Sequence, residues 1–280
     1  NPGLSMSSFG TSVAFSADAR LLAVSNPDAT GGGRVEIFEF DGDVWNWVPE
    51  WSTGGGQPGA AYGKSIAFDP VVPNRLVIGA PDFDQPGMVD AGAAVVVNLD
   101  NTFPRSVSTA VLQPGGDGHE PEGHFGEMVA ASHDTIVVSQ AGYDYADLAS
   151  VGGTIPRDDI GAVHCYQQQG TAWQSYQFIV ADNTMNPDVL DIDGDNMIIN
   201  DRVFQRWNGQ WLLVNQSYIM PAGLDGTTLY GFGFIPSSSV LFWQLSRGGL
   251  ITPELYDGWF GDGVGPVALA GSFDSLVVGC

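Results

Sequence analysis

Acidic side chains carry most of the chemistry this chain could do, and three groups of them are spaced suggestively. Asp191, Asp193 and Asp195 alternate around Gly194. Asp82, Asp84 and Asp90 follow an apolar run that ends in Gly79-Ala80-Pro81. Asp144, Asp147, Asp158 and Asp159 sit in a long Gly-containing stretch, residues 142–159. A hard cation such as Ca²⁺ needs several oxygens within ~2.3–2.6 Å, and carboxylates alternating on a tight loop can supply them. Each group is therefore a candidate Ca²⁺ site, set against a plainer reading as a solvated loop or an Asp-Gly hairpin turn, which is favoured at all three. A fourth stretch, HEPEGH, offers His119, Glu120, Glu122 and His124. Imidazole with carboxylate suits a transition metal. The stretch is rich in Gly and Pro and lacks helical i, i+4 geometry, so a solvated loop is expected there too.

Signatures of catalysis are missing. There is no G-x-S-x-G, H-E-x-x-H, C-x-x-C or P-loop lysine. Gly261-x-Gly263-x-Gly265 opens an apolar strand pattern rather than a helix, so it is no nucleotide fingerprint. Asn215-Gln216-Ser217 is a sequon that could carry glycan. Cys165 lies in a strand-like run and reads as a small buried apolar side chain, and no bridge to Cys280 is expected.

The elements that must position these groups recur. Phe9-Gly10 opens a short strand pattern, a polar turn, a buried apolar run (residues 22–24), a Pro-Asp-Gly loop and a third strand (residues 35–40). The order returns at Tyr62-Gly63, at Phe125-Gly126 and, in part, at Phe260-Gly261. Repetition at this length marks a solenoid or propeller. Gly accepts positive φ at the entry to an inner strand, and the aromatic ring can wedge between neighbouring sheets. After an N-terminal segment, residues 1–8, the expectation is one all-β domain over 9–280. It is a β-propeller of four-stranded antiparallel blades near 9–52, 62–112, 125–180, 185–219 and 222–258, with a partial blade at 260–280. About five and a half blades are visible, six or seven are expected when complete, and the polypeptide is expected to be part of a longer chain.

The Phe-Gly opening, the buried second strand and Gly79-Ala80-Pro81 together resemble FG-GAP repeats, the unit of integrin α-subunit propellers and related microbial and algal surface proteins. The resemblance covers roughly residues 9–180 and, beyond them, the Phe260 copy. Only the second blade shows the full pattern. The resemblance implies an extracellular propeller used for adhesion or assembly. It also implies a Ca²⁺ loop of form D-x-D-x-D-G-x-x-D, to which residues 191–199 are the nearest match, with Ile199 at the ninth position where an acid is expected.

Charge narrows the function classes. Asp plus Glu number 32 against 9 Lys plus Arg, a net charge of −23, and Lys64 is the only lysine. Such a chain repels phosphate backbones and anionic lipids, so nucleic acid and membrane surfaces are excluded as partners. It suits a saline medium, where screening acts over roughly 8 Å or less. No apolar stretch approaches the ~18 residues a membrane helix needs. There is no signal-peptide pattern at the start, so any such segment is already removed. The expectation is a secreted or cell-surface, non-enzymatic module that binds other extracellular proteins, further parts of its own chain, or glycans. One alternative is a self-assembling structural subunit of a filament or sheath. Another is a propeller enzyme, a polysaccharide lyase or hydrolase, with its site at the axial pore.

Overall fold

The computed structural model describes residues 8–102, 104–114, 120–147, 155–157, 161–180, 189–216, 220–225, 228–232, 240–245, 251–256, 268–272 and 275–279. Its strands divide between two compact units, residues 1–187 and residues 188–280. In the first unit one sheet orders β1 (Val13–Phe15), β2 (Leu21–Asn26), β3 (Arg34–Phe40) and β4 (Trp45–Trp47), with β5 (Thr53–Gly54) also paired to β3. A second orders β6 (Ile66–Phe68), β7 (Arg75–Ala80), β8 (Ala93–Asp100) and β9 (Ser106–Leu112). After β10 (Phe125–Ser132) and β11 (Thr135–Gln140) a separate two-stranded hairpin forms from β12 (Tyr145–Asp147) and β13 (Ile155–Arg157), and the third sheet orders β10, β11, β14 (Ala162–Gln169) and β15 (Ala172–Val180).

The second unit repeats the plan. One sheet orders β16 (Leu190–Asp193), β17 (Asn196–Ile199), β18 (Arg202–Trp207) and β19 (Gln210–Gln216). Another orders β20 (Met220–Asp225), β21 (Thr228–Phe232), β22 (Val240–Leu245) and β23 (Ile251–Tyr256), and β24 (Ala268–Ser272) pairs with β25 (Ser275–Gly279). Every pairing within these sheets is antiparallel, and apart from β11–β14 and β3–β5 each joins neighbours in sequence, which is the four-stranded blade of an all-β propeller. The strand at β20 has no counterpart in the sequence reading. Pro221 and Gly223 interrupt the alternation there, and the register shifts between them.

Second strands form a buried spine in the blades of β7, β11 and β17. Every residue of β7 and β11 is buried, as is every residue of β17, which is why these segments read as continuous apolar runs rather than alternating ones. In the first unit two cores form between sheets. Ile37, Trp51, Tyr62, Leu76 and Ile78 belong to one, and Val77, Val96, Phe125, Ile136 and Tyr166 to the next. The first strands are stitched by a repeated bond: Ile66 N–H donates to Ser12 Oγ at 3.2 Å, and Val129 N–H donates to Ser65 Oγ at 3.1 Å.

The aromatic-Gly pairs sit where one blade hands over to the next. Tyr62 bridges Gly33, and Phe125 bridges Gly92, both in parallel register. Phe125 is fully buried and Tyr62 nearly so, while Phe9 is 38% exposed. Gly126 has φ 103°, and a Cβ there would lie 2.3 Å from Ala93 O. A Cβ on Gly79 would lie 1.9 Å from Gly126 O. The Gly79-Ala80-Pro81 and aromatic-Gly patterns therefore answer one steric demand, a backbone-to-backbone crossing between two blades. The outer strand of the first blade breaks after Trp47 because Pro49 cannot donate to the ladder, and pairing resumes at Thr53.

Candidate functional site

Within the first unit, antiparallel order sends the turns β1–β2, β6–β7 and β10–β11 to one rim. The β2–β3, β7–β8 and β11–β14 loops go to the other, together with the links into β6 and β10. The two rims use their charged groups differently. On the turn rim, carboxylates are consumed by the backbone. Asp69 Oδ1 accepts from the N–H groups of Val71, Val72 and His133, and its Oδ2 accepts from Arg75 Nη1 at 3.0 Å. Asp18 is held below the ordinary carboxylate range by its hydrogen bond from Ser16, with Arg20 adding to it. Asp41 and Asp100 are lowered chiefly by backbone N–H donors, from Val44 and Thr102 respectively. Such groups cap turns.

The loop rim gathers a different set. Residues 120–125 run alongside the β7–β8 loop: Glu122 N–H donates to Val89 O at 2.8 Å, His124 N–H to Asp90 O at 3.0 Å, and Phe125 N–H to Ala91 O at 3.2 Å. This lacing brings His124 Nδ1 within 3.0 Å of Asp82 Oδ1, the two side chains being 37% and 42% exposed. An ionised carboxylate can only accept, so Nδ1–H donates, and in the neutral imidazole Nε2 is left as the acceptor. Asp90, Glu122 and His124 all have positive φ, at 50°, 57° and 49°. Three left-handed non-glycine residues within one small region are a concentration of backbone strain, of the kind that marks functional sites.

Behind this pair runs a buried polar chain. His164 Nε2 lies 2.8 Å from Gln140 Oε1, and Gln140 Nε2 donates to Glu120 Oε1 at 2.7 Å. Asp144 N–H donates to the same Glu120 oxygen at 3.2 Å. Gln140 and His164 are fully buried, and His164 packs against the rings of Phe125 and Phe178 at 5.3 and 4.8 Å. Hydrogen bonds inside a protein hold their partners in place, and the Gln140 bond fixes Glu120, four residues before His124, at the rim. Neither Gln140 nor His164 stood out in the sequence, because each sits inside an apolar strand pattern with no motif around it.

The acidic groups picked out by spacing fare unequally. Asp84 Oδ1 accepts from Asp90 N–H at 2.9 Å, and Asp84 N–H donates to Gln57 Oε1. Asp82 is committed to His124 instead, so the three do not converge on one point. Asp193 and Asn196 close a two-residue turn at Gly194-Asp195, and Asp195 turns to Arg206 Nε at 2.9 Å while Asp191 Oδ1 accepts from Ile192 N–H. Among the described residues no three His, Cys, Asp or Glu side chains converge as a metal requires. At residues 82–90 and 191–195 the carboxylates of Asp82, Asp84, Asp191 and Asp195 engage donors of the protein itself. Glu122 contributes its backbone to the lacing. The side chain of Asp147, together with Asp158, Asp159, His119, Phe260, Gly261 and Cys280, lies outside the described residues. Asn215 is on the outer strand β19, opposite Val203, and its side chain and Ser217 also lie outside them. Cys165 is a buried free thiol, pushed by burial to about 12.

No family model and no curated relative matches this chain. Solved structures do. A Bacteroides uniformis protein assigned as a 6-phosphogluconolactonase aligns with TM-score 0.61 at 10% identity, over 99% of this chain and 80% of its own. The periplasmic gluconolactonase of Pseudomonas aeruginosa aligns with TM-score 0.56 at 15% identity, over 96% and 77%. At such identities the likeness shows the fold, a β-propeller. It also corrects two expectations. The FG-GAP resemblance is not upheld, since the similar propellers are of the gluconolactonase kind and the Gly79-Ala80-Pro81 pattern is accounted for by blade packing. The non-enzymatic adhesion or assembly module, with its filament alternative, gives way as well: both similar propellers bear the names of enzymes. Among the described residues no helix is long and apolar enough to cross a membrane.

Proposed function

We propose that this protein is a hydrolase that opens a small sugar-derived lactone at the loop rim of its first unit. The observation that carries the reading is the Asp82–His124 pair, a half-exposed imidazole oriented by a carboxylate at 3.0 Å. Two propellers of the same fold named for lactone chemistry support it. In the step proposed, a water oxygen adds to the lactone carbonyl carbon and its proton passes to His124 Nε2. The bond between that carbon and the ring oxygen then breaks, and the proton goes to the departing alkoxide. Lactone and water become one hydroxy acid, with no other reactant consumed. General base and acid help of this type contributes about 10²–10⁴-fold. Asp82 holds the ring in the tautomer that leaves Nε2 open and stabilises the imidazolium formed in passing.

We assign the protein to a compartment outside the cytoplasm. Its net charge of −23 and the periplasmic origin of one similar propeller support that assignment.

The test is acid release from glucono-δ-lactone followed in a pH-stat, with spontaneous opening subtracted. Turnover by the wild type that His124→Asn lowers at least a hundredfold supports the reading. Wild-type rates no faster than the background across a panel of aldonolactones, or a His124→Asn variant as fast as wild type, would overturn it.

A further inference from the structure

We infer that the loop rim selects an uncharged lactone over a phosphorylated one, and that the ion pair between Lys64 and Glu127 takes part in the selection; this rests on the lactone-hydrolase reading. Lys64 follows Gly63 at the entry to β6, and Glu127 follows Gly126 in β10, so the two occupy equivalent places on adjacent blades. Lys64 Nζ lies 3.3 Å from Glu127 Oε1, with side chains 45% and 33% exposed. Glu127 N–H donates to His124 O at 3.3 Å, which ties the ion pair to the Asp82–His124 site by continuous backbone.

A phosphate dianion is held by guanidinium forks or by ammonium groups free to turn to it. Of the basic side chains described in the first unit, only Arg34 and Lys64 belong to this rim; Arg157 ends β13 in the β11–β14 connection, its side chain outside the described residues. Arg34 Nε is 2.5 Å from Glu36 Oε1, and Lys64, the one lysine of the chain, is turned to Glu127. Arg20, Arg75 and Arg105 belong to the opposite rim, each against a carboxylate. The loop rim meanwhile carries Asp82, Asp84, Asp90, Glu120, Glu122 and Asp144. Carboxylates accept hydrogen bonds from sugar hydroxyls, so a neutral ring finds partners there. A dianion meets a field of its own sign.

The experiment compares kcat/KM for glucono-δ-lactone and for its 6-phosphate, at low salt and at high salt. The wild type is expected to favour the uncharged lactone by at least about tenfold at low salt, with the preference shrinking as salt screens the field. Glu127→Gln releases Lys64 and is expected to narrow the preference several-fold, by lowering KM for the phosphorylated lactone more than for the other. Lys64→Met is expected to widen it. A phosphorylated lactone used as well as or better than the neutral one overturns the inference while leaving the hydrolase reading intact. A preference that ignores salt and both variants removes Lys64–Glu127 from it. Failure to open either lactone, or any other of the aldonolactone panel, refutes the hydrolase reading itself, and the inference falls with it.

Discussion

Asp82 and His124 are 42 residues apart in sequence, on two different blades, and 3.0 Å apart in space. The parallel bridge between Gly92 and Phe125, with the three backbone bonds beside it, sets that distance. The pair is thus a product of blade packing rather than of either loop alone, and the strain at Asp90, Glu122 and His124 is the local cost of the lacing.

Replacing His124 by Asn removes the proton carrier and keeps the shape. Hydrolysis should fall by about 10²–10³. Because the side chain is partly exposed, stability should change by no more than about 0.5 kcal/mol. Asp82→Asn should slow the reaction by about tenfold or more, since an amide lets the ring settle in the other tautomer. Rates from a pH-stat and denaturation midpoints, measured on the same samples, separate catalytic loss from unfolding.

Asp69 predicts a different outcome. Its side chain is fully buried and its partner Arg75 is 9% exposed; Arg75 also donates to His133 O and Gln168 Oε1 and lies over the Trp173 ring. Asp69→Asn leaves a buried guanidinium without its counter-charge, which costs about 3–5 kcal/mol. Asp195→Asn breaks an ion pair whose carboxylate is 71% exposed, and should cost at most about 1 kcal/mol. Urea unfolding of both variants reads the contrast, and equal losses would mean that the buried network does not join the second and third blades energetically.

The blade pattern was legible in sequence because it repeats a steric requirement: an aromatic-Gly turn and a strand buried on both faces, as at Tyr62-Gly63 and residues 75–80. The same feature misled the family reading, since any propeller that crosses backbone at Gly79 and Gly126 needs glycine there. The site was only half legible. Asp82 and His124 were both picked out, each as a possible metal ligand in its own loop, because spacing along the chain carries no information about which loops meet across blades. Gln140 and His164 were invisible, since a polar residue inside an apolar strand looks the same whether it is satisfied by a neighbour or left over. The fifth blade lost its first strand to Pro221 and Gly223, which break the alternation that reveals a strand.

Gly126 offers a test of the packing argument that does not depend on activity. Gly126→Ala adds a Cβ at 2.3 Å from Ala93 O and also at φ 103°. Gly42 has a similar φ of 107°, yet a Cβ there meets nothing within 4 Å. Both variants bear the backbone strain, about 1–3 kcal/mol, and only Gly126→Ala also bears the collision. Gly42→Ala should fold with a lowered melting point, while Gly126→Ala should be far less stable or fail to accumulate as soluble protein. Similar melting points for the two would refute the interblade crossing.

Alkaline pH supplies the last prediction. Burial pushes the Cys165 thiol from an ordinary 9.0 to about 12, and the Tyr62 hydroxyl from 10.0 to about 12 despite its hydrogen bond with Thr53. Both groups stay protonated in the folded chain at pH values where the unfolded chain has already released them. Between about pH 9 and 12 the unfolded state binds fewer protons than the folded state, so stability must fall as pH rises. The contribution is intact below pH 9, begins to decline there through Cys165, and declines more steeply past about pH 10 as Tyr62 joins. Cys165→Ala should delay the onset to near pH 10, whatever its effect on absolute stability, because the slope and not the height of the curve reports the thiol. Urea midpoints taken from about pH 8 to 11 measure it. A wild-type curve that stays flat to about pH 11, or a Cys165→Ala curve of the same shape, would show that these groups are not buried as β14 and the Tyr62 turn place them.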